Sequence, residues 1–372
     1  MIKFHKSQVN EKMKDYLLDV IESGNFNDQE KYYSLCKNFL INFTGAKNII
    51  LTHSATAALE LAFQILIDPK DKVLMPSFTF SSTANAPLKF GGEIFWGEIS
   101  LDNLCLDLEN DKNLNLINNS NLVAPVHYGN TAVDMNKLVE LSKISNFKII
   151  EDAAQSLGVF IKNKHVGTFG TFGVLSFHNT KHIHAGFGGA LIINDEKYYD
   201  LAMEIYNRGT NRHLFQKGLV NKYNWTQLGS SHGNSEINYA ILYSQLEDIS
   251  RITKTRKFIY DFYFENFKNL AKVKLQNIDL TKRTNYSSFY LLVEDRFTRD
   301  NLIQYLNKQN IQSQFHYIPL HSSPMGKKYS KSTTLHLTDL ASDTIIRLPI
   351  YPTLKIDEQE LIVESVKKYF KE

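Results

Sequence analysis

Ile149-Ile150-Glu151-Asp152-Ala153-Ala154-Gln155-Ser156 opens the stretch on which the reading of this 372-residue chain turns. It passes through Gly158, Gly167, Gly170 and Gly173 to Val174-Leu175-Ser176-Phe177-His178-Asn179-Thr180-Lys181, and closes on Gly186-Phe187-Gly188-Gly189. Residues 147–150 form a short apolar run of the kind that makes a buried parallel strand. Asp152 therefore falls just past a strand's carboxyl end, where open α/β sheets collect ligand-binding groups. A second strand over 173–177 ends near Ser176 and delivers Lys181 onto the loop that follows.

A lysine and a carboxylate at neighbouring strand ends, among Gly-rich turns, suit pyridoxal 5′-phosphate (PLP) held as an imine on Lys181, with Asp152 paired to the protonated pyridine nitrogen. That pairing keeps the ring cationic. A cationic ring accepts the electron pair left when a proton departs from the carbon next to the imine nitrogen. Lys181 alone is one lysine among many; the pattern around it singles it out.

Ahead of this stretch strand and helix alternate, as in a doubly wound, mostly parallel sheet. Helices are expected over 9–23, stopped by Gly24, with Val9, Met13, Tyr16, Leu17, Val20 and Ile21 at helical spacing, and over 29–44. Residues 48–51 read as a strand that leads through Thr52-His53-Ser54-Ala55-Thr56 into a helix over 57–67. Ser54 or Thr56 then sits at a helix N-terminus, where unpaired N–H groups and the helix dipole suit a phosphate. Further strands are expected at 94–96 and 123–127, with His127 either facing the site or hydrogen-bonded in the core, and a helix at 134–145. Beyond Gly189 come a strand (190–194), a helix (198–206) and a cation-bearing loop with Arg208, Arg212, Lys217 and Lys222, a candidate for a nucleotide diphosphate. Residues 236–267 read as one long helix with Ile237 and Leu246 inward. A strand (286–293), a helix (299–309), a strand at 314–317 and a last helix (357–370) follow. The expected division is a large PLP-binding α/β domain over 1–250 and a small α+β domain over 251–372.

Composition sets outer limits. Hydrophobic residues at 43% and charged residues at 22% are ordinary globular values. A formal net charge of +3, with the lysines spread along the chain, excludes a nucleic-acid footprint. No run approaches the ~20 apolar residues of a membrane span and no signal-peptide core is present, so a cytoplasmic protein without membrane contact is expected. Cys36 and Cys105 lack ligand spacing and read as buried thiols, with no metal site.

Glu-Asp-Ala-Ala-Gln at 151–155 followed by Ser-Phe-His-x-x-Lys at 176–181 resembles the sugar aminotransferases of the DegT/DnrJ/EryC1/StrS family. The resemblance covers nearly the whole chain and implies the type I PLP-dependent aminotransferase fold. Lys222-Tyr223-Asn224-Trp225, Gly229-Ser230-Ser231 and Phe315-His316-Tyr317-Ile318-Pro319-Leu320-His321 are similar to the branch that makes dTDP-4-amino-4,6-dideoxyhexoses. The implied reaction is transamination of a nucleotide-linked 4-oxo-6-deoxyhexose, dTDP-4-oxo-6-deoxy-D-glucose first. L-Glutamate would be the donor, 2-oxoglutarate the co-product, and surface polysaccharide the destination. Alternatives are a 3-oxo-6-deoxyhexose aminotransferase and a non-catalytic PLP-binding sensor; a sugar 3-dehydratase resembles the chain less, because those enzymes carry histidine at the place of Lys181.

The resemblance also implies roles. Backbone amides at Ala55 and Thr56, with Ser176, hold the cofactor phosphate; Phe80 stacks on the pyridine ring; Gln155 reaches its phenolate oxygen. Ser231, His232, Gly233, Asn234, Arg212, His316 and Tyr317 are the implied partner-subunit or substrate contacts, in a homodimer whose active sites draw on both chains. Phe187 departs from the pattern, standing where relatives commonly carry an acidic residue, as do Gly233-Asn234 and Asn27-Asp28-Gln29-Glu30.

Overall fold

Short apolar runs make the strands of the computed structural model, which describes residues 1–276, 283–330 and 333–371. In chain order they are β1 (Asn48–Thr52), β2 (Lys72–Pro76), β3 (Glu93–Gly97), β4 (Leu122–Val123), β5 (Lys148–Asp152), β6 (Phe160–Ile161), β7 (Lys164–His165), β8 (Phe172–Ser176), β9 (Gly189–Ile193), β10 (Lys274–Leu275), β11 (Phe289–Leu292) and β12 (Ile345–Leu348). A seven-stranded sheet runs β1-β9-β8-β5-β4-β2-β3. From β8 to β3 every pairing is parallel, whereas β9 lies antiparallel between β1 and β8. The fold is thus α/β with a mostly parallel sheet. β6 and β7 form a small hairpin, and β10-β11-β12 a separate antiparallel sheet.

Both faces of the large sheet are buried, and strand alternation shows which residue goes where. Ile50, Ile150, Val174 and Leu191 join one core cluster with the helix Ala55–Leu66, while Ile49, Leu51, Leu175 and Ile192 join another on the opposite face. The small sheet packs its own core, in which Phe289, Leu291 and Ile346 meet Tyr260, Tyr263 and Phe267.

Several expectations need correction. The stretch 236–267 is two helices, Glu236–Glu247 and Ile249–Phe267, broken at Asp248. Aspartate is a poor interior helix residue because its short side chain is drawn to nearby polar groups. Here its carboxylate accepts from Gln8 Nε2 at 3.2 Å and Arg251 Nε at 2.8 Å. Residues 314–317 are not a strand: only Gln314 pairs, with Arg347. The His316 carbonyl instead accepts the Tyr128 hydroxyl at 2.6 Å, so side chains take over groups a ladder would have used. Ile237 is exposed, not inward, and the first helix begins at Glu11, capped by Asn10, so Val9 precedes it.

One buried acid ties this architecture together. Ile149 and Glu151 point to one face of β5, Ile150 and Asp152 to the other. Glu151 is fully buried, and its carboxylate accepts the Gly167, Phe169 and Gly170 N–H groups at 2.7, 2.6 and 2.7 Å. His127 Nε2 lies 3.1 Å from the same group; its Nδ1 accepts the Val133 N–H, so Nε2 carries the proton and donates. Close packing in this loop admits no side chain at Gly173, where a Cβ would fall 2.1 Å from the Gly167 oxygen. Glu151→Gln keeps the size but turns an acceptor into a donor facing N–H groups. It is expected to cost roughly 2–3 kcal/mol of stability, read as a lowered urea midpoint with an unchanged slope; an unshifted midpoint would show that the loop is held by other means.

Candidate active site

The carboxyl ends of the parallel strands open into a cavity of about 670 Å³. Ala55, Thr56, Phe80, Asp152, Gln155, Ser176 and Lys181 all line it, as do His316 and Tyr317. Each wall has a local cause. Ser54 Oγ accepts the Ala57 N–H at 3.1 Å and caps the helix Ala55–Leu66. The first-turn N–H groups of Ala55 and Thr56, which have no helical acceptor, border the cavity. A Cβ at Gly189 would lie 2.4 Å from the Ala55 nitrogen, so only glycine lets β9 run this close beneath the helix start. A second helix, Ser81–Lys89, begins alongside, and its Ser82 Oγ is 2.7 Å from Thr56 Oγ1.

Lys181 rides on the loop between β8 and β9. Backbone bonds of 2.8 Å, Phe177 N–H to the Gly188 oxygen and Ala185 N–H to the Phe177 oxygen, close the loop at its base. A further 2.8 Å bond from Lys181 N–H to the His178 oxygen turns the chain at the lysine. Burial lowers the Lys181 amine from its ordinary 10.5 to about 8; the Asp152 carboxylate opposes the shift and the Arg347 cation adds to it. Asp152, itself buried, accepts the Thr83 hydroxyl at 2.7 Å on Oδ2 and the Ala154 N–H at 3.1 Å on Oδ1. Both oxygens are thereby oriented, and among the described residues no cation pairs with them. Gln155 Nε2 donates to the Tyr317 hydroxyl at 3.0 Å, leaving its second proton for another acceptor. Phe80 is 59% exposed, its ring 6.4 Å from that of Tyr317, so one face stays open to a planar ligand.

The remaining expected contacts lie outside this chain's cavity. Arg212 opens the short helix Arg212–Gln216 and is exposed. Ser231 pairs with Asn207, the His232 carbonyl accepts the His53 N–H at 2.9 Å, and Asn234 Nδ2 donates to the Phe187 carbonyl at 2.7 Å. Gly233 fits against Asp28, whose Oδ2 a Cβ would meet at 2.4 Å. Phe187 lines the cavity with its ring edge-on to His178. His127 does both things expected of it: it borders the cavity and is hydrogen-bonded to Glu151. Sequence reading missed Thr83 and Arg347. The signal for Arg347 was present, since it interrupts the apolar run Ile345-Ile346-Arg347-Leu348 in a chain with eight arginines.

The model of the DegT/DnrJ/EryC1/StrS aminotransferase family matches residues 7–367. The chain belongs to this family. It is 27% identical to the GDP-perosamine synthase of Vibrio cholerae over 379 residues, covering 100% of this chain and 99% of that protein. The spore coat polysaccharide biosynthesis protein SpsC of Bacillus subtilis is also 27% identical, covering 95% and 93%. Among solved structures, the Helicobacter pylori aminotransferase PseC superposes with a TM-score of 0.91 at 22% identity, covering 100% of this chain and 99% of that one. This chain is therefore a PLP-dependent aminotransferase of the family, and its residues fit the cofactor. A lysine of lowered basicity, an oriented buried carboxylate, an exposed aromatic face and helix-start N–H groups share one cavity.

At pH 7 a lysine titrating near 8 is neutral in roughly one molecule in ten, against about one in three thousand for an ordinary lysine. Only the neutral amine attacks an aldehyde. Reconstitution of the cofactor-free DegT-family chain with PLP is therefore expected to accelerate up to about pH 8 and then level off, followed by absorbance. A rate still climbing tenfold per pH unit beyond about pH 9 would mean that the amine is solvated as usual.

Proposed function

We propose that this chain transfers the amino group of L-glutamate to the oxo carbon of a nucleotide-linked 4-oxo-6-deoxyhexose. The observation that carries the reading is the meeting of Lys181 and Asp152 in one cavity, within a chain similar along its whole length to a GDP-perosamine synthase. When bound, the cofactor supplies an electron sink for the carbon next to its imine nitrogen. Asp152, fixed by Thr83 and Ala154, would hold the proton on the ring nitrogen. The Ala55 and Thr56 amides and Ser176 would hold the phosphate, Phe80 would cover the ring, and Gln155 would reach the ring oxygen. The Lys181 amine takes a proton from the α-carbon of glutamate, and in the second half gives one to the sugar carbon that receives nitrogen. Water consumed as 2-oxoglutarate leaves is returned when the sugar ketone loses its oxygen.

dTDP-4-oxo-6-deoxy-D-glucose is the first candidate, from the motifs at 222–225, 229–231 and 315–321. A GDP-linked 4-oxo sugar is the second, favoured by the Vibrio cholerae relative. Assay of dTDP- and GDP-linked 3-oxo and 4-oxo-6-deoxyhexoses, with mass and NMR analysis of the product, decides between them. Lys181→Ala is expected to turn over none of these sugars; turnover at the wild-type rate would remove Lys181 from the chemistry and with it this reading.

We further propose a homodimer in which the 231–234 segment serves the partner's active site. Support comes from the exposed apolar side chains ahead of this segment, with Leu219, Trp225 and Leu228 each at least two-thirds exposed at 67%, 77% and 72%. Large apolar side chains exposed close together in one segment are what an association surface would cover. Mixing Lys181→Ala chains with chains disabled at 231–234 is expected to restore activity in the heterodimer, because one of its two sites then draws both parts from intact chains. Absence of recovery after verified subunit exchange would assign each site to a single chain.

A further inference from the structure

Lys181 and Phe187 share the loop between β8 and β9, and both line the cavity. Phe187 is 64% exposed. A lone apolar side chain on an outer surface needs no explanation. This one faces a cavity, and its backbone is tied from several sides. Asn179 N–H donates to the Gly186 carbonyl at 2.8 Å, and Gly186 turns the chain with φ +75°. Asn238, in the helix Glu236–Glu247, donates through Nδ2 to the Ala185 carbonyl at 2.8 Å, and Asn234 Nδ2 donates to the Phe187 carbonyl at 2.7 Å. The Ser235 hydroxyl donates to Asn238 Oδ1 at 3.0 Å and orients that amide. The ring is therefore a fixed wall of the cavity.

It stands edge-on to the His178 imidazole, with centroids 5.3 Å apart and planes at 83°. His178 is in turn bound to the lysine. Its carbonyl accepts the Lys181 N–H at 2.8 Å, and burial, joined by the Lys181 charge, holds its imidazole below the ordinary value. One side chain thus separates Phe187 from the residue that carries the reacting amine. Of the apolar side chains that line the cavity, only Phe80 and Phe187 are more than half exposed, and the reading above gives Phe80 to the cofactor ring. Phe187 keeps an apolar face for something else.

We propose that Phe187 is a specificity-determining residue that packs its ring on the C6 methyl group of the sugar. The inference rests on the transamination reading above and narrows it to 6-deoxy sugars. In a 4-oxo-6-deoxyhexose the methyl is the ring's one oxygen-free substituent, and only C5 stands between it and the carbon that receives nitrogen. A sugar whose C4 is held at Lys181 brings that methyl to the same loop. The nucleobase, the substrate's other apolar surface, lies at the far end of the molecule, beyond the sugar ring and two phosphates. Contact between methyl and ring removes both from water. A hydroxyl at C6 would give up water there and find no strong hydrogen-bond partner in the ring.

The test compares a nucleotide-linked 4-oxo-6-deoxyhexose with the 4-oxopentose on the same nucleotide, which lacks C6 altogether. With PLP-loaded protein and glutamate as donor, the wild type is expected to favour the deoxyhexose in kcat/KM by roughly ten- to a hundredfold, the range that one buried methyl commands. Phe187→Ala is expected to bring the ratio close to one by slowing the deoxyhexose and leaving the pentose near its wild-type rate. Phe187→Leu, which keeps apolar bulk, should retain most of the preference. Calorimetry with the matching 4-hydroxy sugars, which bind without reacting, should show the same difference in affinity. A wild-type ratio near one, a wild-type ratio retained in Phe187→Ala, or equal losses on both sugars would each overturn the proposal. So would a variant whose only change is weaker self-association in sedimentation, since the ring would then cover a contact between chains. A wild-type protein inert towards every nucleotide-linked 4-oxo sugar would overturn the transamination reading and this inference with it, whereas an active wild type with an unaltered preference in the variant would overturn this inference alone.

Discussion

The active-site cavity depends on a carboxylate that takes no part in its chemistry. Glu151 and Asp152 are adjacent on β5, and strand geometry sends them to opposite faces. Glu151 gathers three backbone N–H groups and His127 on one side, fixing the 167–170 loop that leads into β8. Asp152 is thereby carried into the cavity at the end of a strand whose neighbour, β8, bears Ser176. A satisfied buried acid and an acid with a task stand one residue apart, and the first holds the strand end from which the second acts.

The charges inside the cavity are arranged against one another. Lys181 loses basicity to burial and to Arg347 and regains some from Asp152. Tyr317 is pushed up by burial, pulled down by Arg347 and pushed up again by Asp152. The same few groups therefore set each other's protonation, and removing one charge would move the rest. Aromatic walls from Phe4, Phe80 and Tyr317 give these charges little water to screen them.

Much of this was legible in the residues. Apolar runs ending in Asp152 and Ser176 marked two strands, the Ser54 turn marked a helix start, and all seven expected cofactor contacts line one cavity. These are local signals, carried by neighbours in sequence. The features that escaped depend on partners far along the chain. Asp248 breaks a helix because Gln8 and Arg251 hold its carboxylate, and the 314–317 segment looks like a strand until Tyr128 claims its backbone. Thr83 reads as one more polar residue in a helix until Asp152 arrives beside it. Arg347 stood out by type, but its surroundings are assembled from β12, the 314–317 segment and the N-terminal Phe4, which no single window of sequence contains.

The antiparallel β9 has a consequence for timing. Among the described residues β1 pairs with no strand except β9, and β9 is also the antiparallel neighbour of β8. The turn after β1, proposed to hold the phosphate, and the lysine after β8 are thus brought together by a strand that leaves the ribosome after both. Until Ile193 has emerged and β9 has slotted in, β1 and β8 each expose an unpaired edge, the kind of surface that recruits the wrong strand. Capture of the cofactor is accordingly a report that β9 has been inserted, and a newly made chain stays blind to it until then.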